Sequence, residues 1–248
     1  MPAPLPFTSA RQDGDELLDL GIGTHEEMEA SLRDLWRINR YLGGVAALVR
    51  PLFPRLRALA RASARPITLV DVGAGSAEMA LLIARWGRRN GVRLNVIAAD
   101  LTARHLGIAR CRLPARSGVQ LVQADVMDLP FAPGEVDYYL SSLFMHHFAP
   151  EPLLSILSET YARARRGVIM SDVARGTLPL LGFYAVQPVF ARSRLTRYDA
   201  VVSVRRAYTS HEIRALALQA GMHQPKMLYQ FPFRFTLIAD KAEAEQPE

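Results

Sequence analysis

Lysine is almost absent from this chain of 248 residues. Of its 30 basic residues only Lys226 and Lys241 are lysine and the other 28 are arginine, set against 24 acidic residues for a formal net charge of +6. The arginines are scattered, with "RARR" (163–166) and "RLRALARASAR" (55–65) the densest stretches. Spread in this way they read as solvated helix faces rather than as a nucleic-acid footprint. Cysteine occurs once, as Cys111, which excludes a disulfide framework and a cysteine-based metal site. The opening "MPAPLPFTSARQDGDELL" lacks the basic n-region and apolar core of a signal peptide. The longest apolar run, "TLPLLGFYAVQPVF" (177–190), is too short to span a bilayer and contains two prolines. Internal repeats are missing as well. These absences point to a soluble cytoplasmic protein, and the 50% hydrophobic content is enough for one well-buried domain with an appendage.

What is present divides the chain. Residues 1–15 read as loose, and "THEE" (24–27) is a capping box in which Thr24 and Glu27 satisfy each other's backbone. Met28, Leu32, Leu35 and Leu42 then share one helical face up to Gly43-Gly44. A second helical stretch over 45–64 contains Pro51 and Pro54, which predict a kink or a start at Pro54. Residues 1–65 thus form an N-terminal helical cap. From residue 67 short apolar strands alternate with helices: "ITLVDVG", "RLNVIAAD", "VQLVQADV", "EVDYYLSSLF" and "GVIMSD" are the strands. This rhythm argues for an α/β fold with a parallel sheet covered on both faces. It is interrupted over 173–208 by an apolar segment that reads as a lid insertion. It resumes with a second capping box at Thr209 and Glu212, then "KMLYQF" and "FRFTLIAD" as a closing strand pair with a turn near Pro232. The tail 241–248 is polar and reads as disordered.

The chemistry begins at "LVDVGAGSAEM" (69–79), a strand handing over to a helix through Gly73, Ala74 and Gly75. Glycine allows the sharp turn and the close approach of backbone to a ligand, and the helix start directs N–H groups at an anion. Glu78 holds the place of the third glycine of a dinucleotide fingerprint. Asp71 precedes the glycines by two positions, and Asp100 closes the next strand, 25 residues past Gly75, where a carboxylate can accept both hydroxyls of an adenosine ribose. Asp125 ends the third strand, where it could meet an adenine amino group. Ribose recognition of this kind serves NAD and S-adenosylmethionine equally.

The whole set resembles the class I S-adenosylmethionine-dependent methyltransferases over about residues 67–240, including the closing strand pair. The resemblance implies a Rossmann-like seven-stranded, mostly parallel sheet with an antiparallel closing hairpin over 66–240, beside the helical cap. It implies S-adenosyl-L-methionine as cofactor, bound by a motif that begins at Asp71, with Gly73, Ala74 and Gly75 at its methionine end and Asp100 on the ribose. Leu101 would pack on adenine with Asp125 and Val126 at its edge, and Ser141 and Ser142 would line the cofactor. Ala77 departs from the family, which has a last glycine there.

Methyl transfer from a sulfonium is an in-line displacement, so the protein must align the acceptor and, for a hydroxyl, take its proton. "SSLFMHHF" (141–148) follows the fourth strand and offers His146 and His147 as candidate bases, with packing or capping the plainer role for each. Asp172 ends the fifth strand and either binds the acceptor or caps the next segment. Phe183, Tyr184 and Phe190 in the lid suit a greasy or aromatic acceptor, and Asp199 lies in the stretch that follows. Together with "RINRYLGG" (37–44), these strings look like bacterial methyltransferases of polyketide- or quinone-like natural products. Asn39 and Arg37 could close over the site. The substrate-binding candidates are therefore Asn39, Asp172, Tyr184 and Asp199, and no metal is expected.

Rivals fall on particular residues. Nucleic-acid base methyltransferases carry Asp/Asn-Pro-Pro-aromatic where this chain has "SSLF"; catechol-type enzymes need acids that 138–148 lack; arsenic-type enzymes need several cysteines. "GAGSA" puts Ser76 after the second glycine, which fails the hydrolase elbow. His25, His105, His211 and His223 show no ligand spacing and read as surface or cap residues. The favoured reaction is O-methylation of a hydrophobic or aromatic small molecule, with carbon methylation of a quinone or polyketide ring as the alternative. An NAD-dependent oxidoreductase and a non-catalytic RNA- or partner-binding protein are the readings from other classes. The expected partner is a small molecule, with no nucleic acid and no membrane span, and a homodimer is left open.

Overall fold

The computed structural model describes residues 10–241. Seven strands form one sheet: β1 (Ile67–Val72), β2 (Leu94–Asp100), β3 (Val119–Gln123), β4 (Tyr138–Ser142), β5 (Gly167–Val173), β6 (Lys226–Gln230) and β7 (Arg234–Asp240). Their spatial order is β3-β2-β1-β4-β5-β7-β6. The first five strands run parallel, and β7 enters antiparallel between β5 and β6. The chain reverses its direction of travel across the sheet between β1 and β4, and ligands of open α/β sheets bind outside the strand ends at such a switch point. The Rossmann-like class I methyltransferase fold is present with its closing hairpin.

Strand parity splits the core in two. Val70, Ile97, Tyr139 and Val168 face one way and meet Leu153, Ile156 and Ile213 from α5 (Pro150–Arg163) and α8 (Ser210–Gln219). Their neighbours Leu69, Val96, Tyr138 and Ile169 face the other way and meet Ile83 of α3 (Glu78–Arg89) and Leu48, Leu52 and Leu56 of α2 (Gly44–Ala62). The layer before β1 is thus half of a sheet-covering face, and the line at residue 65 divides the sequence but not the core. α4 (Ala103–Arg112) follows β2.

Two expectations are corrected here. α2 does not start at Pro54, but runs as one helix from Gly44 through both prolines. Pro51 has no N–H for the carbonyl four residues back, and that carbonyl, of Ala47, accepts instead from the Thr236 hydroxyl at 2.9 Å. The carbonyl freed by Pro51 is thus satisfied from the sheet. The described part of 1–15 is anchored rather than loose: the Gln12 amide donates to the Arg205 carbonyl at 3.1 Å, and the Arg11 guanidinium donates to the carbonyls of Phe148 (2.9 Å) and His146 (3.2 Å). The tail beyond Lys241 lies outside the described residues.

Capping boxes form at Thr24/Glu27 and Thr209/Glu212, so α1 (His25–Tyr41) and α8 start where their sequence signals place them. The 173–208 insertion is two helices, α6 (Thr177–Phe190) and α7 (Arg194–Arg206), lying over the carboxyl edge of the sheet. Among the described residues no helix is long and apolar enough to cross a membrane.

Candidate active site

β1 ends in a turn whose backbone turns left-handed at Gly73 (φ 67°), Gly75 (φ 54°) and Ala77 (φ 60°). At Gly73 a Cβ would lie 2.2 Å from the Phe144 ring, so the absent side chain makes room for an aromatic from the segment after β4. At Gly75 only Leu32 is near, at 3.5 Å, and the space above the turn is open. Ala77 occupies the family's glycine place in a left-handed conformation that costs a non-glycine residue roughly 1–2 kcal/mol. It is fully buried, and its methyl packs in the core beneath the turn.

The acids stand around this turn. Asp100 accepts from the Gly75 amide at 2.7 Å and the Thr102 amide at 2.9 Å. Burial raises its pKa, but His105 at 3.3 Å and the two amides outweigh that and hold it below the usual carboxylate value. His105, expected at the surface, is buried against Asp100. Asp71 is buried at the cavity wall without a cation, and its pKa is pushed up to about 7, first by burial and second by the charge of Asp100. Asp125 is exposed and accepts from the Met127 amide at 2.9 Å.

All of these border one cavity of about 790 Å³, a size suited to a small-molecule site. Asp71, Gly73, Ala74, Gly75, Asp100, Leu101, Asp125 and Val126 line one half of it. Ser141 does not: it is fully buried and its hydroxyl finds no partner. Successive strand residues face opposite sides, and Ser142 is the one that lines the cavity, bonded to Asn39 at 3.1 Å.

The other half is apolar, with Leu18, Ile38, Phe148, Phe183, Val186 and Phe233, and carries one polar corner. There His146 is clamped between Asp172 (Nδ1 to Oδ1, 2.8 Å) and Glu16 (Nε2 to Oε1, 3.3 Å). Burial opposes its charge, but the two carboxylates prevail and push its pKa up to about 10. Glu16, which burial alone would raise, is held down to about 2, chiefly by His146. With both ring nitrogens engaged by carboxylates, His146 has the geometry of a fixed cation and not of a base. His147 differs: its Nδ1 meets Asp19 Oδ2 at 2.7 Å and its ring borders the cavity. The metal-binding atoms of Glu16, His146 and His147 lie within 4.8 Å of one another, and this is the cluster of described residues with metal-ligand geometry.

Three substrate-binding candidates are not on the cavity wall. Asp172 is buried beneath His146, taking its backbone amide at 3.0 Å as well as its ring. Tyr184 points outward from α6, and its neighbour Phe183 faces in. Asp199 is buried and accepts from the amides of Leu17 (2.7 Å) and Leu18 (3.2 Å), fastening the segment before α1 to α7. Asn39 lines the cavity, and Arg37 instead pairs with Asp34 at 3.0 Å.

Two sources of site residues are absent from the sequence reading. Glu16 and Asp19 come from the short stretch between residues 1–15 and α1, to which no role was given, and meet residues far along the chain. Arg234 is the single basic residue of the strand "RFTLIAD"; it is buried on the cavity wall, and burial brings its pKa down to about 10 against the opposing charge of Asp172. A charge in a strand otherwise buried throughout was the available signal.

A turn of this form at the switch point of a sheet of this order, with acids at three successive strand ends, has the arrangement of the class I methyltransferase fold. Residues 69–167 match the family model described as a methyltransferase domain. Over those residues the chain carries a methyltransferase domain, and S-adenosylmethionine is its cofactor. Among similar solved structures, a S-adenosylmethionine-dependent methyltransferase from Aquifex aeolicus is 14% identical, with 88% of this chain and 98% of that chain covered at a TM-score of 0.58. PigF with S-adenosylhomocysteine is 17% identical (70% and 50%, TM-score 0.52). An O-methyltransferase family 2 protein from Planctomyces limnophilus, in complex with apigenin, is 18% identical (71% and 50%, TM-score 0.51). This chain spans about half the length of the last two. No curated protein matches the chain in sequence.

Proposed function

We propose that the protein transfers the methyl group of S-adenosylmethionine to a hydroxyl oxygen of an apolar, aromatic small molecule. The observation that carries this is the Asp19–His147 pair at the one polar corner of an otherwise apolar half-cavity beside the cofactor turn. Asp19 holds the Nδ1–H of His147, which leaves Nε2 with its lone pair, the tautomer logic by which a carboxylate prepares an imidazole base.

The cofactor supplies an activated methyl on a sulfonium, which departs as neutral S-adenosylhomocysteine. Asp71 would hold its ammonium group, answering a buried carboxylate that has no cation of its own. Asp100 would hold the ribose, Leu101 and Val126 the adenine, and Asp125 the adenine edge. On the acceptor side His147 takes the hydroxyl proton as the oxygen forms its bond to carbon. The His146 cation lies beside it, and Arg234 faces a second oxygen of the acceptor, carbonyl or anionic. The apolar walls exclude water that would compete as nucleophile.

The test is incubation with labelled cofactor and a panel of lipophilic phenols and hydroxyquinones, with products resolved by mass spectrometry. His147→Ala should lower turnover by about 10²-fold, in the range of a single general base, and leave the Kd for S-adenosylhomocysteine unchanged. Unchanged turnover removes the base assignment, and ring-carbon methylation in the products removes the O-methylation reading.

A further inference from the structure

The outer surface of the lid is as apolar as its inner surface. α6 has no charged residue over Thr177–Phe190, and of its side chains only Phe183 is buried. Leu178 and Leu181 are each 58% exposed and Val189 61%. Beside it the end of β6 exposes Tyr229 (71%) and the β6–β7 turn Phe231 (84%). The two are one patch: a Cβ at Gly182 of α6 would lie 2.6 Å from the Phe233 ring, so helix and turn touch there. The end of α1 extends it, with Tyr41 exposed and its ring 6.4 Å from that of Phe190. Monomeric proteins seldom expose contiguous apolar area of this kind without a partner for it.

Charge names the partner. The elements that carry this face, with the residues next to them (35–50, 173–198 and 226–239), hold nine basic residues and no acidic one. Several of the arginines pair inward, but Arg40, Arg50, Arg192, Arg194 and Arg197 are exposed. Arg40 lies over the Tyr41 ring, Arg50 bonds Gln230 beside the turn, and Arg192 and Arg194 follow the end of α6. An uncharged face rimmed by arginine with no acid among it is complementary to the interface of an anionic bilayer, where apolar side chains enter the acyl boundary and guanidinium groups meet phosphate.

We propose that this face docks on an anionic lipid bilayer, with α6 and the β6–β7 turn inserted at the interface. Pro179, Gly182, Val186, Phe231 and Phe233 belong both to these two elements and to the cavity wall. Docking therefore sets the cavity's apolar side against the membrane, and the acceptor is a lipid-dissolved hydroxy compound taken from it. The docking stands on the surface alone; the source of the acceptor rests on the O-methylation reading above.

Sedimentation with vesicles of phosphatidylcholine, with and without 30% phosphatidylglycerol, tests the docking. The full chain should partition onto the anionic vesicles at least tenfold more strongly than onto the neutral ones, and less in high salt. Leu178→Glu/Leu181→Glu, at positions that do not border the cavity, should lose that partition at least tenfold while keeping the thermal shift produced by S-adenosylhomocysteine. No partition of the wild type, or equal partition of the variant, overturns the proposal. So does a wild-type dimer in solution that the variant dissociates, which would assign the patch to a second copy. Vesicle binding is read without an acceptor, so failure to methylate phenols leaves it standing and failure to bind vesicles leaves the reaction standing.

Discussion

Asp71→Asn should make the cofactor-free protein more stable and a poorer binder at once. Burial and Asp100 push the Asp71 pKa from 3.8 up to about 7. The folded state thus keeps the proton longer than the unfolded chain does. Below about pH 4 the carboxyl is protonated in both states and contributes nothing. Between pH 4 and 7 the unfolded chain ionises and the folded state resists, so stability falls as pH rises, and above pH 7 the full penalty applies. A shift of about 3 pH units at 1.36 kcal/mol each sets an upper bound of roughly 4 kcal/mol. Asn copies the protonated group in size and escapes this. Half the bound, about 2 kcal/mol, would raise Tm by about 4–8 °C in a chain of this length. Urea unfolding without ligand should therefore show the variant's advantage at pH 8 and little of it at pH 4. Calorimetry at pH 8 should show S-adenosylhomocysteine bound at least tenfold more weakly, since a hydrogen bond to a charged group is worth about 1.5–3 kcal/mol. A gain independent of pH, or an affinity within threefold of wild type, would refute the reasoning.

Other consequences can be measured separately. Thr236→Val leaves the Ala47 carbonyl without its partner and should cost about 1–3 kcal/mol. In a Pro51→Ala background the helix supplies its own N–H, so the cost should shrink by at least about 1 kcal/mol, and an additive double-mutant cycle would refute the sheet-to-helix cap. Gly73→Ala should unfold the turn more than Gly75→Ala, because both break a left-handed backbone but only the first drives a methyl into Phe144; equal midpoints in urea would contradict this. Asp137 is fully buried and binds both the Arg65 guanidinium and the Thr68 amide. Asp137→Ala should cost about 3–5 kcal/mol, read as a fall in the denaturation midpoint.

Legibility followed the range of the forces involved. The strands are short apolar runs, the capping boxes are four-residue signals, and the glycine turn is a local conformational demand, so each was readable from neighbouring residues. One half of the cavity is built from strand ends, and the motif residues read there border it; of the two serines read beside them, strand parity turns Ser142 to the cavity and Ser141 away. The acceptor half is tertiary. Asp19 meets His147 across 128 positions of chain, and no periodicity in residues 10–23 announces it. Asp172 and Asp199 looked like ligands for an acceptor because they are acids in suggestive places. Each is instead spent inside the protein, one on a histidine and the other on two amides. Pro51 misled for a related reason: propensity counts the hydrogen bond a proline removes within its helix, and not the hydroxyl that a distant strand returns.

The segment from Arg11 to Ile22 is held along its length by the lid. Gln12 is bound to Arg205, Glu16 to Ser203, and Leu17 and Leu18 to Asp199, all on α7. Glu16 and Asp19, which set the states of the two histidines, travel on that segment. If α7 swings away to exchange ligands, it takes with it the carboxylate that fixes the tautomer of His147. On the O-methylation proposed above, the open form would then trade cofactor and acceptor without being able to deprotonate, which confines the proposed base to the closed form.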